Sequence, residues 1–167
     1  SLLPGQSVTI EIPLAKGWNF ISLPLIVDDP AISAVFSSIA GKYDQVCRYN
    51  PAAKKFEYFV ANNPEYTQFT NLETAKGYQV IVSSECILRI TGRIPNTNYT
   101  SSLLTGWQML GYPSKNRTKV SDAFSNLVKG TNYDRISRYD KSTNTFVDLT
   151  PADYLEPGVS YFIREPK

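Results

Sequence analysis

The chain has 167 residues, and its 17 Lys and Arg residues nearly balance its 15 Asp and Glu residues, giving a formal net charge of +2. This balance disfavours nucleic acid or an anionic membrane as the main partner. The sequence contains no histidine, which excludes any mechanism that needs a histidine base, nucleophile or metal ligand. Hydrophobic residues make up 42% of the chain, enough for a packed core, but no apolar run approaches the length of a membrane span.

The first part of the chain carries two strand signals followed by a helix signal. Residues 8–12 and 18–23 are predicted strands, and a proline ends the second. Residues 32–39 have apolar side chains at helical spacing, which predicts a short amphipathic helix. Gly41 is expected to close that helix.

A hairpin and two more strands follow the predicted helix. Residues 45–49 and 55–60 are predicted to pair as a hairpin across a turn at 50–54, which is rich in turn formers. Residues 77–82 and 87–90 are the remaining strand candidates before a cluster of Gly, Pro and Asn.

The second half of the sequence repeats the first half in order. Trp107 follows Trp18 by 89 positions, and each stands directly after a glycine. Several ordered blocks with nearly constant spacing indicate an internal duplication. The matches are GWNFISLP at 17–24 with GWQMLGYP at 106–113, ISAVFSSI at 32–39 with VSDAFSNL at 120–127, YDQVCRYN at 43–50 with YDRISRYD at 133–140, and Leu72, Glu73 and Tyr78 with Leu155, Glu156 and Tyr161.

The repeat predicts an α+β fold that is predominantly β, with two tandem units at residues 1–94 and 95–167. Each unit is expected to be a small, mostly antiparallel sheet with one short helix. Residues 99–104 are predicted to begin the second unit as a strand, but nothing near the chain end matches the strand at 87–90. A sheet that lacks an edge strand exposes unpaired backbone groups. We therefore expect the first unit, or residues 8–12, to cover that edge, so that the units pack as one body.

These blocks resemble a repeat of many bacterial and archaeal secreted and cell-surface proteins that begins Gly-Trp-Asn-Leu-Ile-Ser-Leu-Pro. In that repeat a helix containing Val-Phe follows, then a Tyr-Asp-x-Val-Trp-x-Tyr strand and a closing Gly-Tyr-Trp-Val segment. Cys47, Ser137 and Gln79 stand where the repeat often has tryptophan. The resemblance implies an extracellular or cell-surface location and a modular parent protein, with the targeting signal outside this segment. It implies no particular chemistry.

One hairpin also resembles a different repeat. Residues 138–146 look like the hairpin of a kelch propeller blade. Kelch units run to about 50 residues with paired glycines, whereas this period is near 89 and contains no Gly-Gly. A helix also interrupts each unit, so the propeller interpretation is disfavoured.

Four aromatic residues are candidates for a ligand surface or for the core. Trp18 and Trp107 occupy matching places, as do Tyr49 and Tyr139. Flat aromatic faces suit sugar rings, but large aromatics also dominate core energetics. Because each tryptophan starts an apolar strand, the sequence favours a core role for both.

Arg48 and Arg138 also match each other, and Asp44 lies too far along its strand to pair with Arg48 directly. Each arginine is therefore expected to find another partner, such as a loop carboxylate or carbonyl. A structural role that ties a loop is favoured over ligand binding.

The two cysteines, Cys47 and Cys86, form one disulfide in an oxidising compartment or remain two buried thiols, and the sequence leaves both open. Two thiols cannot make a tetrahedral metal site alone. Asp28, Asp29 and Asp44 are a weak calcium candidate without ligand spacing of the EF-hand type, and solvated carboxylates are the simpler interpretation.

No catalytic motif emerges. A serine nucleophile would need a base other than histidine, and no phosphate-binding loop is present. We therefore expect a non-catalytic module without cofactors, with a structural, adhesion or protein-interaction role toward neighbouring domains of its own chain or other surface proteins. The alternative is a carbohydrate-binding module that presents exposed aromatic side chains to glycans.

Overall fold

The computed structural model describes residues 5–95 and 106–166, which are rich in antiparallel β-structure and contain few helices. Residues 96–105, with the predicted strand at 99–104, lie outside the described part. The elements in chain order are β1 (Ser7–Leu14), β2 (Gly17–Ser22), α1 (Ile32–Val35), β3 (Tyr43–Asn50), β4 (Lys55–Val60), β5 (Gly77–Val82), β6 (Cys86–Arg93), β7 (Gly106–Leu110), β8 (Thr118–Lys119), α2 (Val120–Ala123), β9 (Arg135–Asp140), β10 (Thr145–Asp148), β11 (Tyr154–Leu155) and β12 (Tyr161–Glu165).

Each half of the chain forms one four-stranded antiparallel sheet. The first sheet has the order β2-β5-β3-β4, and the second has the order β7-β12-β9-β10. The two orders place strands of matching sequence at matching positions. The registers agree as well, because Cys47 lies opposite Gln79 in the first sheet and Ser137 lies opposite Phe162 in the second.

The predicted helices are present but short. α1 has a single turn and continues into a 3-10 turn at Ser37–Ile39, and Gly41 follows with a φ of +77°, a backbone conformation that glycine adopts without steric cost. Ile32 and Phe36 point inward and are fully buried in the first core. The amphipathic spacing therefore marks a real buried face, although the segment is too short to be a stable helix by itself.

Strands β1 and β6 form a separate two-stranded ribbon over the core of the first half. Ile12 and Leu14 of β1 and Leu88 and Ile90 of β6 join that core. The expectation that a missing counterpart of β6 would leave an open sheet edge is wrong, because β6 pairs with β1 and, at Arg93, with Ile26, and joins neither four-stranded sheet of the described residues.

Two buried tyrosines hold the loops that precede β5 and β12. The Glu73 N–H donates to the Tyr78 hydroxyl at 2.8 Å, and the Glu156 N–H donates to the Tyr161 hydroxyl at 2.6 Å. Burial raises the pKa of Tyr78 to about 12, so its hydroxyl stays protonated at neutral pH. Both loops are thus anchored to the sheet that follows them.

The free edge of β2 is paired by a segment from the second half. The Ser22 N–H donates to the Gly158 carbonyl at 2.9 Å, and the Ser160 N–H donates to the Phe20 carbonyl at 3.3 Å. This segment leads directly into β12. An edge that would otherwise present unpaired backbone groups is therefore covered from within the chain.

The free edge of β7 is covered in the same way from the first half. The Gly111 N–H donates to the Ala75 carbonyl at 2.8 Å, and Lys76 forms an antiparallel β-bridge with Leu110. This segment leads directly into β5. Because β5 pairs with β2 and β12 pairs with β7, the four strands and their lead-in segments close a ring of backbone pairings, which we call the four-strand ring.

Small residues fill the centre of the four-strand ring. A β-carbon on Gly77 would lie 2.0 Å from Ser160 Oγ, and one on Gly111 would lie 2.1 Å from Ser22 Oγ. Each serine of one half therefore faces a glycine of the other half. Both serine hydroxyls are buried and have no hydrogen-bond partner among the described residues.

Candidate functional site

Two clefts flank the four-strand ring where the halves of the chain meet. The Trp18 cleft encloses about 660 Å³ and the Arg48 cleft about 840 Å³, both within the range of small-molecule sites. The Trp18 cleft is defined here by Glu11, Trp18, Phe20, Arg138, Tyr139 and Lys141, and the Arg48 cleft by Arg48, Tyr49, Glu57, Phe69 and Met109.

The clefts divide five of the six residues that the sequence singled out. Trp18, Arg138 and Tyr139 line the Trp18 cleft, whereas Arg48 and Tyr49 line the Arg48 cleft. Trp107, the sixth, is not among the residues lining either cleft. Each cleft therefore combines side chains from both halves, and neither half contains a complete cleft.

The Arg48 guanidinium has two partners within its own half. Its Nε donates to Glu57 Oε1 at 2.8 Å, and the guanidinium carbon lies 4.3 Å from the centre of the Phe69 ring. The hydrogen bond from Arg48 lowers the pKa of the Glu57 carboxyl. The expected loop carboxylate is thus a carboxylate on the neighbouring strand β4, and the structural role favoured for Arg48 fits these contacts.

Arg138 occupies the matching place in β9 but lacks both partners. It lies opposite Val147 in the strand register, where Arg48 lies opposite Glu57. Counting back from the matched Leu155, Ala152 stands where the first half has Phe69. Within residues 5–95 and 106–166, Arg138 forms no hydrogen bond or ion pair, so the partner expected for it is not found there.

Both tryptophans are exposed, so the core role favoured by the sequence is wrong for each. Trp18 is 56% exposed and Trp107 is 37% exposed. Strand alternation explains the result, because Ile21 of β2 is buried in the core and Trp18, an odd number of residues away, points to the opposite face. Tyr49 and Tyr139 are half-buried.

Trp107 is held by two arginines of its own sheet. The guanidinium carbon of Arg135 lies 5.5 Å from the Trp107 ring centre, and that of Arg164 lies 5.3 Å away. Arg135 pairs with Asp148 and Arg164 with Asp134. These contacts give Trp107 a packing role that Trp18 does not share.

An aromatic cluster beside the Trp18 cleft was missed by sequence reasoning. Phe20 from β2 lies 5.2 Å from both Tyr139 and Phe162, measured between ring centres, and Phe146 lies 4.9 Å from Phe162. In the first sheet, Gln79 stands at the position of Phe162. The cluster makes the two clefts chemically different, although their backbones correspond.

Cys47 and Cys86 are both free thiols, so the disulfide is not formed. Cys86 packs against the core of the first half, which also contains Val46. Cys47 follows Val46 in β3 and therefore points to the other side of the sheet. Burial raises the pKa of the Cys47 thiol to about 11.

Two of the three calcium candidates, Asp28 and Asp29, have other partners. Asp28 pairs with Arg93, and Asp29 accepts a hydrogen bond from the Ala31 N–H at 3.1 Å. Within the described ranges, no three or more Cys, Asp or Glu side chains gather as a metal site would require.

Comparison with protein-family models, with curated proteins and with solved structures gave no match. No helix in the described part of the chain is long and apolar enough to cross a membrane.

Proposed function

We propose that this chain is a non-catalytic module of a secreted or cell-surface protein, made of two copies of one β-rich unit, and that it binds a saccharide in the Trp18 cleft. The observation that carries the proposal is the exposure of Trp18, which lines a cleft shared with Tyr139 and Arg138. An indole left in water inside a cleft offers apolar area that a ligand can cover.

Several features support the proposal of two copies. The strand orders of the two sheets correspond, and so do the two tyrosine hydroxyls that accept hydrogen bonds from glutamate N–H groups. The T-shaped ring pairs Phe36–Tyr43 and Phe124–Tyr133 also occupy matching places. The proposed location rests on the resemblance of the repeated blocks, and the proposed lack of catalysis rests on the absence of histidine and of catalytic motifs.

The saccharide proposal is supported by the chemistry of the cleft wall. Aromatic side chains present a flat apolar face, while neighbouring polar groups can bond to hydroxyls at the edge of a sugar ring. Trp18 and Tyr139 supply such faces, and the polar side chains of Arg138 and Lys141 line the same cleft. Sugar rings likewise have apolar faces made of C–H groups and polar edges made of hydroxyl groups.

The test is calorimetric titration of the intact chain with a panel of neutral and acidic oligosaccharides. We expect binding by at least one class and a loss of about 10-fold or more in Trp18→Ala, since a stacking contact of about 1.4 kcal/mol corresponds to that factor. Trp107→Ala is the matched control and should bind normally. A chain that binds no oligosaccharide, or equal effects of the two substitutions, would contradict a saccharide site at Trp18.

A structural or adhesion role is the second candidate. The four-strand ring supports it, because backbone hydrogen bonds join the halves in both directions and would resist their separation. Partners would then be neighbouring domains of the same chain or other surface proteins. A saccharide panel without any binding, together with normal folding of both tryptophan variants, would favour this role.

A further inference from the structure

The Trp18 cleft contains a guanidinium, that of Arg138, which forms no hydrogen bond or ion pair with the described residues. Arg48 has a carboxylate across the strand pair and an aromatic ring above it, whereas Arg138 faces Val147 and has neither. Arginine cannot shed its charge at physiological pH. A charged side chain without a protein partner, half-buried in a cleft, is stabilised when an anionic group binds.

Two of the three carboxylates that line the cleft, Glu11 and Asp153, have close partners. Glu11 pairs with Arg89 at 2.8 Å, and Glu156 lies 4.0 Å from Arg117. Asp153 accepts hydrogen bonds from the Thr150 N–H and hydroxyl at 2.7 and 3.1 Å.

Asp140, which follows Tyr139 in the chain, is occupied by the N–H and hydroxyl of Ser142. Lys141 at the cleft mouth contacts only a backbone carbonyl, that of Lys16 at 3.5 Å. Arg138 and Lys141 therefore form no ion pair with a carboxylate of the described residues, although, besides the hydrogen bonds from Ser142, the charge of Arg138 contributes to lowering the pKa of Asp140.

The cleft does not suit an extended peptide that adds a strand. The edge of β2 from Phe20 to Ser22 is already hydrogen-bonded to the segment that leads into β12. Main-chain hydrogen bonds are what give strand addition its affinity. The remaining recognition elements are the exposed ring of Trp18, the half-buried ring of Tyr139 and the free guanidinium of Arg138.

We infer that the Trp18 cleft selects saccharides that carry carboxylates, such as oligosaccharides of uronic acids, with Arg138 binding the carboxylate and Trp18 stacking on a sugar ring. This inference deepens the proposed function and rests on it. Lys141 at the mouth adds long-range attraction for the same ligands, and the Arg48 cleft, whose guanidinium is neutralised by Glu57, does not bind them.

The first experiment compares tetragalacturonate with its fully methyl-esterified form by calorimetry on the intact chain. The ester keeps the sugar rings and removes the charges. We expect the acid to bind about 10-fold or more tightly, because hydrogen bonds to charged groups are worth about 1.5 kcal/mol or more. The difference should shrink as sodium chloride rises from low to high concentration, since salt screens exposed charges.

The second experiment supplies Arg138 with an internal partner. Val147→Glu places a carboxylate opposite Arg138, as Glu57 lies opposite Arg48. This variant should lose the preference for the acid while keeping its affinity for the ester. Val147→Gln, of the same shape without the charge, is the matched control and should keep the preference. Arg138→Gln should reduce acid binding about 10-fold or more, whereas Arg48→Gln should leave it unchanged.

The outcomes separate the inference from the proposed function. Equal binding of acid and ester would overturn the inference and leave a saccharide site intact. No binding of either, together with no binding of the wider panel, would overturn both. Hexaglutamate binding as tightly as tetragalacturonate would also overturn the inference, because the cleft would then recognise carboxylates without sugar rings. Selective binding of the acid that Val147→Glu abolishes and Val147→Gln retains would support it.

Discussion

Ser22 and Gly111 face each other across the centre of the four-strand ring, so closely that a β-carbon on Gly111 would lie 2.1 Å from the Ser22 Oγ. The second pair, Gly77 and Ser160, reverses the arrangement, with the glycine in the first half and the serine in the second. The ring closes because each half supplies a glycine where the other supplies a side chain.

Gly111→Ala should destabilise the protein by about 2 kcal/mol, within the range typical of overpacking. The new methyl group would meet the Ser22 side chain at 2.1 Å, and neither partner is a flexible chain end. Urea denaturation followed by circular dichroism gives the free energy of unfolding. Gly41→Ala is no control, because its positive φ strains any side chain.

A double mutant tests the contact between Ser22 and Gly111 more directly than the single substitution does. Ser22→Gly combined with Gly111→Ala should recover most of the loss, because the next neighbour of the added β-carbon is the Val159 carbonyl oxygen at 3.4 Å. Gly77→Ala with Ser160→Gly should recover less, since the Met109 backbone carbon still lies at 3.0 Å. Additive effects in both double mutants would contradict direct contact across the ring.

Trp18→Ala should change the free energy of unfolding by less than about 1 kcal/mol, because the side chain is mostly in water. Buried aromatic residues typically cost about 3–5 kcal/mol when truncated. Phe36→Ala, at a fully buried position, is the control and should show a cost of that size. Trp107→Ala should fall between them, since it loses two contacts with arginine side chains. A large loss of unfolding free energy in Trp18→Ala would show that Trp18 packs in the core.

Glu57→Gln should destabilise the protein by about 1 kcal/mol at neutral pH, and the difference from the wild type should vanish in acid. The hydrogen bond from Arg48 lowers the pKa of Glu57 below its usual value in the folded state. A depressed carboxyl pKa contributes stability above the pKa of the unfolded chain, about 4.3, and loses it as pH falls through the folded value. Unfolding curves from pH 7 to pH 3 measure the difference. A gap that widens in acid would contradict the ion pair.

Cys47 should react with thiol reagents only after unfolding. Its thiol is buried and has a pKa of about 11, so roughly one molecule in a thousand is a thiolate at pH 8. Cys47→Ser and Cys86→Ser isolate the two thiols for a colorimetric assay in the native state and in urea. Rapid native labelling of the remaining thiol in Cys86→Ser would show that Cys47 is accessible.

The positions of the strands and helices could be predicted because apolar spacing and turn residues are local signals. The wrong prediction that Trp18 lies in the core could have been avoided from the sequence. Ile21 and Leu23 define the inward face of β2, and Trp18 lies on the opposite face. The partner of Arg48 could also have been predicted from the sequence. The hairpin turn sets the register, which puts Glu57 opposite Arg48 and Val147 opposite Arg138.

The four-strand ring could not be predicted in the same way. Ser22 and Gly158 are joined by a backbone hydrogen bond, and backbone groups carry no sequence signature over such a separation. The two clefts depend on that closure, so no local pattern could place Phe20 beside Tyr139. Sequence patterns predicted the parts of the site, and long-range backbone pairing assembled them.

The ring also constrains the order in which the chain can mature during synthesis. When β2 leaves the ribosome, the segment that will cover its edge at Gly158 has not yet been made. The edge of β2 must therefore stay open until Gly158 has been synthesised, at a stage when nascent proteins are prone to associate with one another. Slow release, or a chaperone that shields the edge of β2 until residue 160 emerges, would lower that risk.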